Sequence, residues 1–166
     1  MSSSCLSTER DKHLEFSEAM RIVIINGPNL NLLGKREPGI YGTCSMEQVL
    51  LDIQRKHMDV HFTYLQSNHE GDLIDWMQRY GLASSEDKEV VGIVLNAGGY
   101  THTSVALRDA VTCAEVPVVE VHISDIAKRE AFRRNSLLTE VCAHSVIGKG
   151  TGGYLEAVDW IIHNRN

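Results

Sequence analysis

The sequence predicts an α/β domain built as a doubly wound, five-stranded parallel sheet in the flavodoxin-like order 2-1-3-4-5. Three observations carry that prediction. Short apolar runs and helical segments alternate along the chain, the pattern of parallel strands joined by right-handed crossovers. The runs Ile22-Val23-Ile24-Ile25 and Val90-Val91-Gly92-Ile93-Val94-Leu95 are continuously apolar, as strands covered on both faces are. A chain of 166 residues suits one domain with a substantial core, and of the doubly wound orders the five-stranded one suits this length.

Residues 1–19, MSSSCLSTERDKHLEFSEA, are polar and mixed in charge and lack the apolar centre of a signal peptide. They read as a flexible extension, with the folded domain assigned to residues 20–166. The first strand, Ile22 to Ile25, runs into NGPNLNLLGKREPGIYG, Asn26 to Gly42. This connection exceeds the usual strand-to-helix turn of about two to six residues, and long connections are commonly functional loops. Gly27, Gly34, Gly39 and Gly42 give it places to hinge, with Arg36 and Tyr41 carried between them.

Ser45 and Gln48 form an S-x-x-Q capping box for a helix to about His57. Val60 to Leu65 alternates as a second strand, and QSNHEG turns into a helix from about Glu70 to Tyr80. Leu73, Ile74, Met77 and Trp76 face inward there. Ser84 to Glu89 is a charged loop before the third strand, Val90 to Leu95. Asn96-Ala97-Gly98-Gly99-Tyr100-Thr101 leads to a helix from about Thr103 to Glu115. Pro117 to Val121 is a fourth strand, then His122-Ile123-Ser124-Asp125 and a short helix through Phe132. Val141 to Ile147 is a fifth strand and Tyr154 to His163 the closing helix.

Composition narrows the function. An apolar share of 43% fits a globular chain. A net charge of −6 and a pI of 5.7 argue against nucleic acid as the main partner, since phosphate contacts need a basic surface. No run approaches the roughly 18 apolar residues that span a bilayer. Cys5, Cys44, Cys113 and Cys142 show neither CxxC nor metal spacing and read as free thiols of a reducing cytosol.

In a doubly wound sheet, ligands sit beyond the carboxyl ends of the strands, at the switch point between the first and third. The loops after strands one, three and four are the unusual ones, and all three reach that edge. His122 sits at a strand end, where it is either a structural histidine or a group reaching the crevice. Glu120, two residues earlier, points to the same face. A carboxylate there can bond one ring nitrogen, fix the tautomer and leave the other for acid–base work; a strand-edge salt bridge is its plainer role.

Gly98 and Gly99 let backbone approach a ligand, or simply turn the chain. The following helix offers free N–H groups to an anion, joined by the Thr101, Thr103 and Ser104 hydroxyls. Neither GxxxxGK[ST] nor GxGxxG is present. His102 contacts a ligand or faces solvent, and solvent is the simpler reading.

Arg129 and Arg133, four apart on one face of the short helix, form a surface cation pair or clamp a carboxylate. Asp109 beside Arg108 reads as a surface or inter-subunit pair. Tyr41 needs help to act as a base, because a phenol titrates at about 10; Arg36 in the same loop can stabilise a phenolate. No lysine lies inside an apolar strand, where a desolvated Schiff-base amine is expected.

In this order and spacing, NGPNLNLLGKREPGIYG, LQSNHEGDLIDW, LNAGGYTHTSVALRDA and EVHISDIAKREAFR resemble the type II 3-dehydroquinate dehydratases, from about Arg21 to the C-terminus. The resemblance implies a flavodoxin-like, cytoplasmic hydro-lyase, typically dodecameric as a tetramer of trimers. Its reaction converts 3-dehydroquinate to 3-dehydroshikimate, in the shikimate pathway, through an enolate and without metal, organic cofactor or imine.

Carried over by position, it implies that Tyr41 removes the proton alpha to the ketone and that Arg36 keeps it ionised. His122, oriented by Glu120, donates a proton to the departing hydroxyl, and Asn29 holds a water at the enolate. Asn96, Gly98, Gly99, His102, Ile123, Ser124 and Arg133 bind substrate, and Arg129 supports a closed lid. Asp109 matches a substrate contact supplied by a neighbouring subunit, in place of the plainer reading.

After EVHIS the family more often has Asn, then His or Tyr two positions later. Asp125 and Ala127 stand here, which bears on lid or subunit contacts. The alternative from another class is a flavin- or phospho-ligand-binding module on the same fold. It predicts yellow colour or bound phosphate and gives Tyr41 and Arg36 no role. An inactive scaffold would need a broken catalytic set, and Arg36, Tyr41, Glu120 and His122 are all present.

Overall fold

The computed structural model describes residues 20–35, 44–82 and 89–165. Five parallel strands run in the order β2-β1-β3-β4-β5, as the sequence predicts. They are β1 (Met20–Asn26), β2 (Val60–Gln66), β3 (Val90–Asn96), β4 (Val118–His122) and β5 (His144–Ile147). The α-helices among the described residues are α1 (Met46–Lys56), α2 (Glu70–Gly81), α3 (Val105–Thr112) and α4 (Gly152–Asn164).

Alternation along each strand sorts the apolar residues into two cores. Ile22 and Ile24 of β1, with Val94, Val119 and Val121, meet Val49 and Ile53 of α1 and Tyr154, Val158 and Ile161 of α4. Val23 and Ile25, with Ile93, Leu95 and Val118, meet Leu73, Met77 and Tyr80 of α2 and Leu107 and Val111 of α3. Residues 22–25 are therefore apolar without interruption because each side chain is buried against one helical layer or the other.

Local chemistry sets the helix ends. Ser45 caps α1 by accepting from the Gln48 amide at 3.3 Å, while the Gln48 side chain bonds Asp52 instead of closing the box. Ser104 caps α3, accepting from the Leu107 amide at 2.8 Å. The chain before it, Gly98–His102, is a 3-10 turn, so α3 begins at Val105 and not at Thr103.

Two expectations are corrected. The segment after β4 is not a helix through Phe132: 3-10 turns at Ile126–Lys128 and Ala131–Arg133 flank an extended Arg129. Strand β5 starts at His144, because the Val141 and Cys142 amides close a turn on the Leu138 carbonyl at 3.0 Å. They are thereby spent before the ladder to β4 begins.

The chain turns tightly where β1 ends. The Gly27 amide donates to the Asn96 carbonyl at 2.7 Å, clamping the first loop to the end of β3. A Cβ on Gly27 would collide with the Ala97 backbone, 2.7 Å from its carbonyl carbon. Backbone cannot rotate aside as a side chain can. Gly27→Ala is therefore expected to cost about 1–3 kcal/mol, read as a lower urea midpoint with an unchanged m-value.

Candidate active site

The ends of β1 and β3 carry polar side chains beneath the crevice. Asn26 and Asn96 face each other in register and are almost fully buried. Tyr154, entering from α4, joins them: its hydroxyl donates to Asn26 Oδ1 at 2.8 Å and accepts from Asn96 Nδ2 at 2.9 Å. Burial pushes that hydroxyl's pKa well above the ordinary phenol value, so it stays neutral and keeps its proton for Asn26. Asn96 Oδ1 in turn accepts from the Gly98 amide at 3.2 Å and fixes the second loop.

Above this floor lies a cleft of about 160 Å³. Its first wall is Pro28–Leu30 with Leu32 and Leu33, leaving β1. Asn29 adopts a left-handed backbone, φ 67°, a conformation that asparagine tolerates better than most residues. Its amide donates to Asn68 Oδ1 at 3.0 Å, tying the turn to the end of β2. Gly98 packs on the Pro28 carbonyl with φ +57°, while Gly99 has open space where a Cβ would stand. His122, Ile123, Ser124, Ile126, Arg129 and Arg133 complete the cleft.

His122 and Glu120 form the dyad that their spacing allows. His122 Nε2 donates to Glu120 Oε1 at 2.7 Å. The same oxygen accepts from the Ser136 hydroxyl at 2.6 Å, and Oε2 accepts from Thr139 Oγ1 at 2.7 Å and Ser145 Oγ at 3.0 Å. Burial by itself would raise the Glu120 pKa. The bond and charge of His122, with the Ser136 and Thr139 hydroxyls, outweigh it and hold the carboxyl down at about 2. An ionised carboxylate only accepts, so Nε2 carries a proton and Nδ1 is the nitrogen left for chemistry.

A second histidine is fixed in a similar way. His102 Nδ1 lies 2.7 Å from the Asn135 carbonyl, which can only accept, so Nδ1 bears the proton. The His102 and His122 rings stack at 6.4 Å. Arg129 reaches back to Ser124 Oγ at 3.2 Å and to Glu130 at 3.3 Å, and Arg133 lies 3.6 Å from the same carboxylate. The two arginines share the cleft wall through these contacts, not through one helical face.

Of the residues singled out in the sequence, Asn29, Asn96, Gly98, Gly99, His102, His122, Ile123, Ser124, Arg129 and Arg133 line one cleft. Glu120 lies behind His122. Arg36 and Tyr41 lie outside the described residues. Asp109 is exposed on α3 and does not line this chain's cleft. Arg108 pairs with Glu140 at 3.2 Å and bonds the Leu137 carbonyl.

Of the hydroxyls expected to greet an anion, those of Ser104 and Thr103 are engaged elsewhere, while Thr101 Oγ1 is buried without a hydrogen-bond partner among the described residues. Ser104 caps α3, Thr103 donates to the Gly99 carbonyl at 3.5 Å, and Thr101 is fully buried. Asp125 accepts from the Ala127 amide at 3.1 Å and pairs with Lys128 at 3.3 Å, so it is turned on its own loop. Cys142 is no nucleophile: burial first, then the Glu120 charge, pushes its thiol up to about 12. Among the described residues no three His, Cys, Asp or Glu side chains gather as metal ligands do, and no helix is long and apolar enough to cross a membrane.

Sequence reasoning missed Asn26, Tyr154, Ser136, Thr139 and Ser145. Asn26 ends an apolar strand, which is a usable signal. The partners of Glu120 stand 16, 19 and 25 residues beyond it, with no spacing that points back.

A small-molecule acid–base site on a doubly wound sheet is the class that this geometry defines. The family model described as dehydroquinase class II matches residues 20–162. The chain is 49% identical over 149 residues to a 3-dehydroquinate dehydratase of Exiguobacterium sp., covering 89% of this chain and 98% of that one. It is 45% identical over 145 residues to the enzyme of that name from Halothermothrix orenii, covering 86% and 94%. The type II dehydroquinase structure from Butyrivibrio crossotus superposes with a TM-score of 0.78 at 40% identity, covering 87% of this chain and 99% of that chain. The chain belongs to the dehydroquinase class II family and is an enzyme of the hydro-lyase class.

Two outcomes follow from the buried groups. Tyr154→Phe leaves an Asn26 acceptor and an Asn96 donor unpaired. A loss of about 1–3 kcal/mol is expected in denaturant unfolding. For Glu120, a pKa held below the usual 4.5 means that the ionised carboxylate stabilises fully above pH 4.5, a contribution lost as pH falls toward 2. Melting temperatures measured across that window should fall less steeply for Glu120→Gln than for the parent, from a lower starting point at neutral pH.

Proposed function

We propose that the protein dehydrates 3-dehydroquinate to 3-dehydroshikimate in the shikimate pathway, serving aromatic amino acid biosynthesis. The observation that carries this is the Glu120–His122 dyad, opening into a cleft whose ionisable lining groups, among the described residues, are all histidines and arginines. Arg129 and Arg133 match a carboxylate substrate in charge and geometry. The relatives named for this activity are nearly the length of this chain.

Tyr41, ionised beside Arg36, takes the proton alpha to the ketone, and the electron pair moves onto the carbonyl oxygen as an enolate. A water on Asn29 stabilises that oxygen. The enolate re-forms the ketone as the carbon–hydroxyl bond breaks at the beta position, and His122 Nδ1 delivers a proton to the leaving oxygen as water departs. The ionised Glu120 stabilises the imidazolium that precedes this transfer. Asn96, Gly98, Gly99, His102, Ile123 and Ser124 orient the ring, and Arg133 holds the carboxylate. Closure of the Gly34–Gly42 loop, supported by Arg129, excludes water.

The reaction proceeds without imine, metal or organic cofactor. The enzyme assembles in the cytoplasm as a homo-dodecamer, a tetramer of trimers, in which the exposed Asp109 of one subunit completes a neighbour's site.

The test is ultraviolet absorbance of the conjugated enone when purified protein meets 3-dehydroquinate, with and without borohydride treatment in the presence of substrate. A rise that survives borohydride is expected. A rise abolished by borohydride would mean a lysine imine, and no rise would overturn the dehydratase reading. Tyr41→Phe and Arg36→Ala should each lose about a hundredfold or more in kcat while melting as the parent does. Near-normal turnover in either would sink the assignment of the base.

A further inference from the structure

We infer that Ser136, Thr139 and Ser145 are positioning residues of the reaction, acting on His122 through Glu120. The inference rests on the dehydratase reading above. A carboxylate has about four lone-pair sites. In Glu120 each oxygen receives two donors: His122 and Ser136 on Oε1, Thr139 and Ser145 on Oε2. The side chain is 0% exposed, so water does not substitute for a missing donor.

The direction of the Ser136 bond is determined by its other partners, and the Thr139 and Ser145 hydroxyls donate to the ionised carboxylate, which only accepts. Ser136 Oγ already accepts from the Leu138 amide at 3.0 Å and the Thr139 amide at 3.1 Å. Its only proton therefore goes to Glu120. With both oxygens saturated by donors, a protonated Glu120 would lose a donor bond and would have to turn the Thr139 or Ser145 hydroxyl round to accept its own O–H. The carboxylate consequently stays ionised and fixed in rotation, and it selects the His122 tautomer with hydrogen on Nε2. With Nε2–H held on Glu120, the proton that the imidazolium delivers is the one on Nδ1, which faces the cleft in every turnover. Three hydroxyls from the turn after β4 and from β5 thus set where the catalytic proton sits, without touching substrate.

Ser136→Ala also removes the acceptor of two backbone amides and can disrupt the turn, so the informative variants are Thr139→Val and Ser145→Ala. Each is measured for kcat and KM against pH and by nitrogen-15 resonance of the His122 ring. The double variant should lose about tenfold in kcat with KM little changed, a magnitude typical of groups that orient a functional imidazole. Fewer donors let Glu120 take a proton at higher pH, so the acid limb of kcat should move upward. The ring nitrogens should shift from one tautomer toward a mixture. Thr139→Ser, which keeps the hydroxyl, should restore the limb and the tautomer relative to Thr139→Val.

An unchanged tautomer and acid limb in the folded double variant would overturn the inference. So would a Thr139→Ser protein as impaired as Thr139→Val, which would assign the effect to a lost methyl contact. A parent protein inert toward 3-dehydroquinate would overturn the dehydratase reading instead, and the ring resonances would still decide the positioning role.

Discussion

One phenolic hydroxyl holds the crevice together. At the switch point the chain leaves β1 for one face of the sheet and β3 for the other, so no crossover bridges the two strand ends. What bridges their side chains is Tyr154, donating to Asn26 and accepting from Asn96, beside the backbone bond from Gly27 to Asn96. Buried amides without partners cost more than the net value of a hydrogen bond, so this arrangement is favoured chiefly by what its alternatives lose. Its consequence passes upward, because Asn96 also holds the Gly98 amide and Gly98 lies against the Pro28 carbonyl. Cleft geometry is thus set from the core outward.

A second constraint is the ionised carboxylate at the heart of β4. Burying a charge is costly unless it is paired and hydrogen-bonded, and Glu120 meets that demand with every site it has. The same condition that makes the burial tolerable makes the group rigid. The Asn135 backbone carbonyl fixes the His102 proton as Glu120 fixes that of His122, so the proton positions of both cleft histidines are set by neighbouring acceptors. The extended Arg129 and the short turns around it belong to this economy of contacts. A continuous helix would keep Arg129 from reaching Ser124 in its observed conformation.

Much of the architecture was legible because a parallel sheet covered on both faces writes itself as unbroken apolar runs. Ile22 to Ile25 is the clearest case, each residue buried in one of two layers. The candidate site was legible where its residues lie on strand ends and in the loops that follow, as with His122, Asn96 and Gly98. The Glu120–His122 contact could be read because a two-residue step returns to the same face of a strand. What escaped was set by tertiary contact alone. Tyr154 acts 128 residues away from Asn26, and the α3 cap displaced hydroxyls that the sequence offers equally well to a ligand. The late start of β5 has the same origin, since nothing local marks Leu138 as the acceptor that draws Val141 and Cys142 out of the ladder.

The charge of the whole chain and the charge of the cleft point in opposite directions. The protein carries −6 overall, yet among the described residues the ionisable side chains lining the cleft are His102, His122, Arg129 and Arg133. Glu130 balances the arginines from an exposed position beside the wall, and Glu120 is shielded behind the imidazole. An anion of matching size therefore finds attraction in this part of the cleft although the chain as a whole is acidic. The apolar members of the wall, Leu30, Leu33, Ile123 and Ile126, give a carbon ring somewhere to lie while its polar groups turn toward the bases. A small ring carrying a carboxylate satisfies both halves of that lining. A phosphate alone uses only one.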